Sequence, residues 1–142
     1  MKQNYPSYII AGVLIGFLTG CSESKFVQCQ KIFTTINSVE KQTRTLANSP
    51  DLKNQENWLT AAQIMEKTAQ KLENLQLSDP QLKNYARGFA QVYRDNAAAT
   101  RTMLQAWTNK DVNIAIQAQK QVQTAGQEEA KLGEKINDYC RN

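Results

Sequence analysis

Residues 80–107, PQLKNYARGFAQVYRDNAAATRTMLQAW, carry the most regular hydrophobic pattern in the chain. Positions at alternating steps of three and four form one stripe: Leu82, Tyr85, Phe89, Val92, Asn96, Ala99, Met103 and Ala106. Nearly four heptads with one polar member predict a long helix that packs along its whole length. Asp79 is a suitable N-cap and Pro80 suits the first helical position, so we expect this helix to begin there.

Two helices are predicted before this stretch. Phe26, Cys29, Phe33 and Ile36 recur at helical spacing and predict a first helix that ends near Ala47. A second helix is expected to begin at Pro50, with Ser49 as its cap, or only near Asn54. Its apolar face comprises Trp58, Ala61, Ala62, Met65, Ala69, Leu72 and Leu75.

A fourth helix follows the tight connection at residues 108–111. Asn109 is expected to act as a cap and Asp111 to lie near the helix N-terminus. The apolar face of this helix comprises Ile114, Ala118, Val122, Ala125, Leu132, Ile136 and Tyr139. Glu129 interrupts that face, and Gly126 and Gly133 predict a close neighbour or a bend on their side.

No stretch has the pattern of a strand, and three short connections join four helices of comparable length. The sequence therefore predicts an all-α fold, an up-down-up-down four-helix bundle, as one domain over residues 26–142. We expect the turn between the second and third helices to lie at the end of the bundle that faces away from a membrane.

The N-terminal residues predict export. Lys2 precedes an apolar run at residues 8–18 that is too short to span a bilayer. The following segment, Leu18-Thr19-Gly20-Cys21, resembles the lipobox of bacterial lipoproteins. That resemblance implies a signal peptide at residues 1–20, lipidation of Cys21, a tether at residues 21–25, and attachment to a bacterial membrane at the periplasmic face, the cell surface or the thylakoid lumen. The alternatives are an ordinary cleaved signal peptide and an uncleaved anchor, either of which leaves Cys21 a thiol.

Lipidation of Cys21 would leave Cys29 and Cys140, an even pair in an oxidising compartment. Cys29 lies early in the first helix and Cys140 late in the fourth. An even number of antiparallel helices brings those two ends together, so we expect a disulfide between them. Two buried free thiols are the alternative.

Composition excludes several classes of function. The chain has no histidine, which removes histidine-based catalytic triads, histidine-ligated haem and di-iron sites of the Glu-x-x-His type. It has no glycine-rich phosphate loop, no cysteine pair at metal spacing, and a formal net charge of only +4. We therefore expect no enzymatic activity, no cofactor, no metal and no nucleic-acid partner.

The predicted third helix offers two candidate surfaces. The first is a basic strip of Lys83, Arg87, Arg94 and Arg101, which could meet acidic lipid headgroups or an acidic partner, or could simply be a solvated face. The second is an aromatic ladder of Tyr85, Phe89 and Tyr93, which could line a groove for a hydrophobic ligand or belong to the core. Asn96 lies in the packing seam, where it either fixes register or is satisfied locally.

Composition and architecture are similar to small helical lipoproteins of bacterial envelopes and cyanobacterial thylakoids, including the PsbQ-like bundles associated with photosystem II. The similarity is one of architecture and rests on no functional motif. We expect a membrane-anchored structural or assembly-type module with a protein partner in a membrane complex. The alternative is a binding protein for a small hydrophobic ligand. An apolar cavity of several hundred Å³ between the helices would favour the ligand, whereas a filled core with an exposed apolar or basic patch would favour the protein partner.

Overall fold

The computed structural model describes residues 23–47 and 55–142, and within these ranges it contains four helices and no strand. The helices are α1 (Lys25–Ala47), α2 (Gln55–Glu73), α3 (Pro80–Thr108) and α4 (Val112–Arg141). The predicted all-α four-helix bundle is confirmed. The predicted signal peptide, the lipidation site Cys21 and a start of the second helix at Pro50 lie outside the described residues.

Side-chain caps fix the starts of α3 and α4. Asp79 accepts a hydrogen bond from the Leu82 N–H at 2.9 Å, with Pro80 in the first turn, as the sequence predicted. Asp111 is the N-cap of α4 and accepts from the Ile114 N–H at 3.1 Å. Asn109 serves the other helix, because it follows the last turn of α3 as its C-cap.

α3 is the central element of the bundle. It packs extensively against α2 and α4, whereas α1 lies mainly along α2 and touches α3 and α4 at few positions. The largest fully buried apolar side chains are Ile32, Leu72, Leu82, Phe89, Tyr93 and Ile136. Their positions place the well-filled part of the core in the half of the bundle that contains the start of α3 and the end of α4.

The other half of the bundle is less well filled. Among the described side chains of α1, none beyond Val39 is fully buried. The buried residues in the first half of α4 are the alanines Ala115, Ala118 and Ala125, whose side chains are small. Small side chains on α4 and polar side chains on α1 therefore leave space between these helices.

The close approach of α3 and α4 depends on a glycine that the sequence did not single out. A Cβ added at Gly88 would lie 3.2 Å from a methyl carbon of Leu132. At Gly126 and Gly133, by contrast, an added Cβ would meet no heavy atom of the described residues within 4 Å. Of the two alternatives expected at these glycines, a close neighbour is therefore wrong for the described residues, and a bend stays a prediction.

Candidate functional site

The cysteine pair lies where the helix count placed it. Cys29 of α1 and Cys140 of α4 form a disulfide, and their Cα atoms are 6.2 Å apart. The predicted pairing is confirmed over the alternative of two free thiols. The bond joins the first and last helices at the end where they come together.

A buried glutamine next to this disulfide holds the α2–α3 turn in place. Gln28 donates from Nε2 to the carbonyl oxygen of Glu23 at 2.7 Å and to the Ser78 hydroxyl at 2.9 Å. Its Oε1 accepts from the backbone N–H groups of Ser78 and Asp79 at 2.7 and 2.9 Å. The α2–α3 turn therefore lies beside the disulfide, and the expectation that it forms the far end of the bundle is wrong.

Tyr139 adds a second polar connection at the disulfide end. Its hydroxyl donates to Asp79 Oδ2 at 2.8 Å, and its carbonyl oxygen accepts from Lys25 Nζ at 3.0 Å. Burial by itself would raise the pKa of Asp79, but the hydrogen bonds from Leu82 N–H and the Tyr139 hydroxyl outweigh it and lower that pKa. The same carboxylate raises the pKa of Tyr139. This end of the bundle is thus a dense structural junction.

The basic strip divides into two halves. Arg94 forms a two-pronged ion pair with Glu73, and Arg101 forms one with Glu66, in which Arg101 Nη2 lies 2.9 Å from Glu66 Oε2. These hydrogen bonds lower the pKa of each glutamate. Both arginines therefore connect α3 to α2.

Lys83 and Arg87, the other two members of the strip, are exposed and form no ion pair with any residue in the described ranges. A surface role for the whole strip stays a prediction. Of the four residues in the strip, only Lys83 and Arg87 form no ion pair with the described residues of α2.

The aromatic ladder belongs mainly to the core. Phe89 and Tyr93 are buried, and Tyr85 packs at the core edge against Tyr139. The Tyr93 hydroxyl donates to Glu129 Oε1 at 2.7 Å, which explains the acidic residue in the apolar face of α4. Burial, and then the charge of Glu129, raise the pKa of Tyr93. These rings therefore do not form the ligand groove that was one of the two interpretations of the ladder.

A different cavity, of about 300 Å³, opens between the four helices in the less well-filled half. We call it the cleft. Its surface is mainly apolar, and the apolar side chains that line it are Leu46 of α1, Trp58, Ala61 and Met65 of α2, and Val122 of α4. The ion-paired Glu40 and Arg44 of α1 also border it. A mainly apolar cavity of this size lies at the lower end of the range seen for small-molecule sites.

Two buried polar side chains of α3 line the same cleft. Asn96 and Thr100 lie one helical turn apart, and the Thr100 hydroxyl donates to Asn96 Oδ1 at 3.4 Å. The seam position of Asn96 was noted in the sequence, but its place beside a cavity could not be predicted from α3 alone. The cleft is therefore an apolar space with one small polar group in its wall.

Comparisons of the chain with protein-family models, curated proteins and solved structures gave no match.

Large apolar side chains are exposed around the α3–α4 connection. Val112 and Ile116 are 66% and 59% exposed, and Trp107 and Ile114 are about half exposed. α3 has 29 residues, so this connection lies roughly 40 Å from the α2–α3 turn. We call this group of four residues the apolar tip. It lies at the end of the bundle opposite the disulfide.

The described part of the chain contains neither a metal-binding cluster nor a membrane-spanning helix. No group of three or more cysteine, aspartate or glutamate side chains there is arranged to hold a metal ion. Within residues 23–47 and 55–142, no helix combines the length and the apolarity that a transmembrane span requires.

Proposed function

We propose that the protein is an exported lipoprotein, anchored through a lipid on Cys21, that binds a small apolar ligand in the cleft. The anchor is supported by the lipobox-like segment at residues 18–21 and by a disulfide of the kind that oxidising compartments favour. Ligand binding is supported by one observation above all, the mainly apolar cavity of about 300 Å³ between the helices.

The position of the cleft fits this proposal. Only three residues separate Cys21 from the start of α1 at Lys25, so a lipid there would hold the disulfide end close to the membrane. The cleft lies in the opposite half, where its opening would face the aqueous compartment. A ligand could then enter or leave the cleft without passing through the anchored end.

Photolabelling of the full chain in lipid nanodiscs tests this function. Benzophenone is an apolar probe that inserts into nearby C–H bonds on irradiation, so mapping the insertion separates cleft binding from partitioning into lipid. We expect label on the tryptic peptide of residues 54–67, which contains Trp58, Ala61 and Met65. Ala61→Phe should fill the cleft and abolish this label, whereas Ala98→Phe, on an exposed position of α3, should not.

A peptide 54–67 that stays unlabelled in the wild-type chain would refute the proposal. Label of equal intensity in the wild-type chain and in Ala61→Phe would refute it too, because insertion would then be independent of the cleft.

The second candidate function is a structural or assembly-type module with a protein partner. The apolar tip favours it, because four exposed apolar side chains at the end away from the anchor are suited to contact another protein. A photoreactive residue at Ile116 should crosslink in cells to one defined protein, whereas the same residue at exposed Asn84 should not. Equal crosslinking from both positions, or none from Ile116, would remove this candidate.

A further inference from the structure

The polar group in the wall of the cleft indicates what kind of ligand fits there. Asn96 is only 9% exposed, yet its side chain makes one hydrogen bond with the described residues, in which Oδ1 accepts from Thr100. Its amide nitrogen, with two N–H donors, has no acceptor among those residues. A buried amide normally satisfies its donors with protein or water acceptors.

The acceptor for these donors can come from the cleft, either as water or as a polar group of a ligand that displaces it. No fully enclosed side-chain nitrogen or oxygen of the described residues lacks a partner, so the Asn96 amide nitrogen still has accessible surface. Asn96 lines the cleft, and the rest of its surroundings are the packed seam of α3. The N–H donors are therefore accessible to whatever molecule occupies the cleft.

The charges around the cleft favour a neutral acceptor. Arg44 is the one basic side chain that lines it among the described residues, and it is already paired with Glu40 one helical turn away. A carboxylate inside the cleft would lose its hydration without gaining a free cation. A carbonyl oxygen needs only the N–H donor that Asn96 provides.

We propose that the ligand of the cleft is a neutral apolar molecule with a carbonyl group, as in a ketone or ester, and that Asn96 Nδ2 donates a hydrogen bond to that carbonyl. This inference depends on the proposed function, since it concerns the same site. The apolar side chains hold the hydrocarbon part, and Asn96 selects for the carbonyl.

A matched pair of competitors tests this selection. Valerophenone and pentylbenzene have nearly the same shape, but a carbonyl in the first replaces a CH₂ group in the second. Each is titrated against benzophenone labelling of the peptide of residues 54–67 in nanodiscs, with the wild-type chain and with Asn96→Leu. For each protein, the affinity for valerophenone is divided by the affinity for pentylbenzene. Comparing this ratio between the wild-type chain and Asn96→Leu cancels the different partitioning of the two competitors into lipid.

We expect Asn96→Leu to reduce the relative preference for valerophenone by about three- to tenfold, the effect of one neutral hydrogen bond. Asn84→Leu makes the same exchange on the exposed side of α3 and should leave the ratio unchanged. Asn96→Ala provides a second test that does not depend on accommodating leucine, and it should lose the same preference. Circular dichroism establishes that each variant is folded.

The outcomes distinguish the two proposals. If both compounds compete but the ratio is the same in the wild-type chain and both Asn96 variants, the carbonyl inference is wrong and the apolar ligand site stands. If neither compound competes and the peptide is not labelled, the proposal that the cleft binds a ligand is wrong. The carbonyl inference is then wrong too, because it depends on that proposal.

Discussion

The disulfide allows the sharpest prediction about stability. We consider replacement of both Cys29 and Cys140 by alanine, which removes the bond without leaving a free thiol. The two cysteines are 111 positions apart, so the bond restricts nearly the whole described domain in the unfolded state. The chain-entropy relation gives about 5 kcal/mol for a loop of this length. Truncation of the buried Cys29 side chain adds a small cavity cost.

The structure also predicts which part of the protein is affected first. α1 packs mainly against α2 and touches α3 and α4 at few positions, one of them the disulfide itself. Loss of the bond should therefore release α1 more readily than α3, which packs against α2 and α4 along its length. Amide protons of α1 should lose protection against hydrogen exchange before those of α3.

Urea unfolding of the chain from Ser22 onward, followed by circular dichroism, measures the effect. We expect the double variant to lose about 5 kcal/mol of unfolding free energy, and reduction of the wild-type protein by dithiothreitol to cause a slightly smaller loss, because it truncates no side chain. Dithiothreitol should not change the double variant. A loss below about 1.5 kcal/mol would refute the reasoning, since it would show that the bond does not restrict the unfolded chain as calculated.

Three further predictions concern individual positions. Tyr93→Phe removes the hydrogen bond to Glu129 and should lower the free energy of unfolding in urea by about 1–2 kcal/mol. The same change in a Glu129→Gln background should lower it by less. Equal losses would show that the two side chains are not coupled. Gly126→Ala and Gly133→Ala should each raise the melting temperature by a few degrees, because both glycines are helical and an added Cβ meets no described atom within 4 Å. A lower melting temperature would contradict this, since it would show that the added methyl group clashes with another part of the protein. The pKa of Asp79 is lowered by folding, so its contribution is present above the pKa of the unfolded chain and is lost as the pH falls from about 5 towards 2. Asp79→Asn keeps an N-cap and should flatten stability over that pH range, and an unchanged pH profile would contradict this assignment.

The helices could be predicted because they depend on the local periodicity of apolar residues. The disulfide could be predicted because it depends on the number of helices being even. The stripe of α3 and its Asp79-Pro80 start are contained in a single stretch of sequence. The pairing of Cys29 with Cys140 requires only that the number of antiparallel helices be even. Neither prediction needs knowledge of distances between particular side chains.

The ion pairs of the basic strip were missed because α3 was considered by itself. Arg94 and Arg101 are seven residues apart, and so are their partners Glu66 and Glu73 on the antiparallel helix α2. This matched spacing is a signal that the sequence does contain. Gln28 offers no such signal, since its partners in the α2–α3 turn are backbone N–H groups and a hydroxyl about 50 residues away.

The cleft could not be predicted because it results from what α1 and α4 lack. Residues 40–45 of α1 are polar, and the buried residues of α4 at Ala115, Ala118 and Ala125 are small. Those facts show that the core is thin there, but not whether the helices close the gap. Only the positions of α1 and α4 show that it stays open, with Asn96 in its wall.

Nuclear magnetic resonance with valerophenone tests the central claim most directly. The account predicts intermolecular nuclear Overhauser effects between the ligand and the methyl groups of Met65 and Val122, and none with Ile136 in the filled half of the core. Contacts confined to the exposed Val112 and Ile116, or no contacts at ligand saturation, would contradict the claim that the cleft is a binding site.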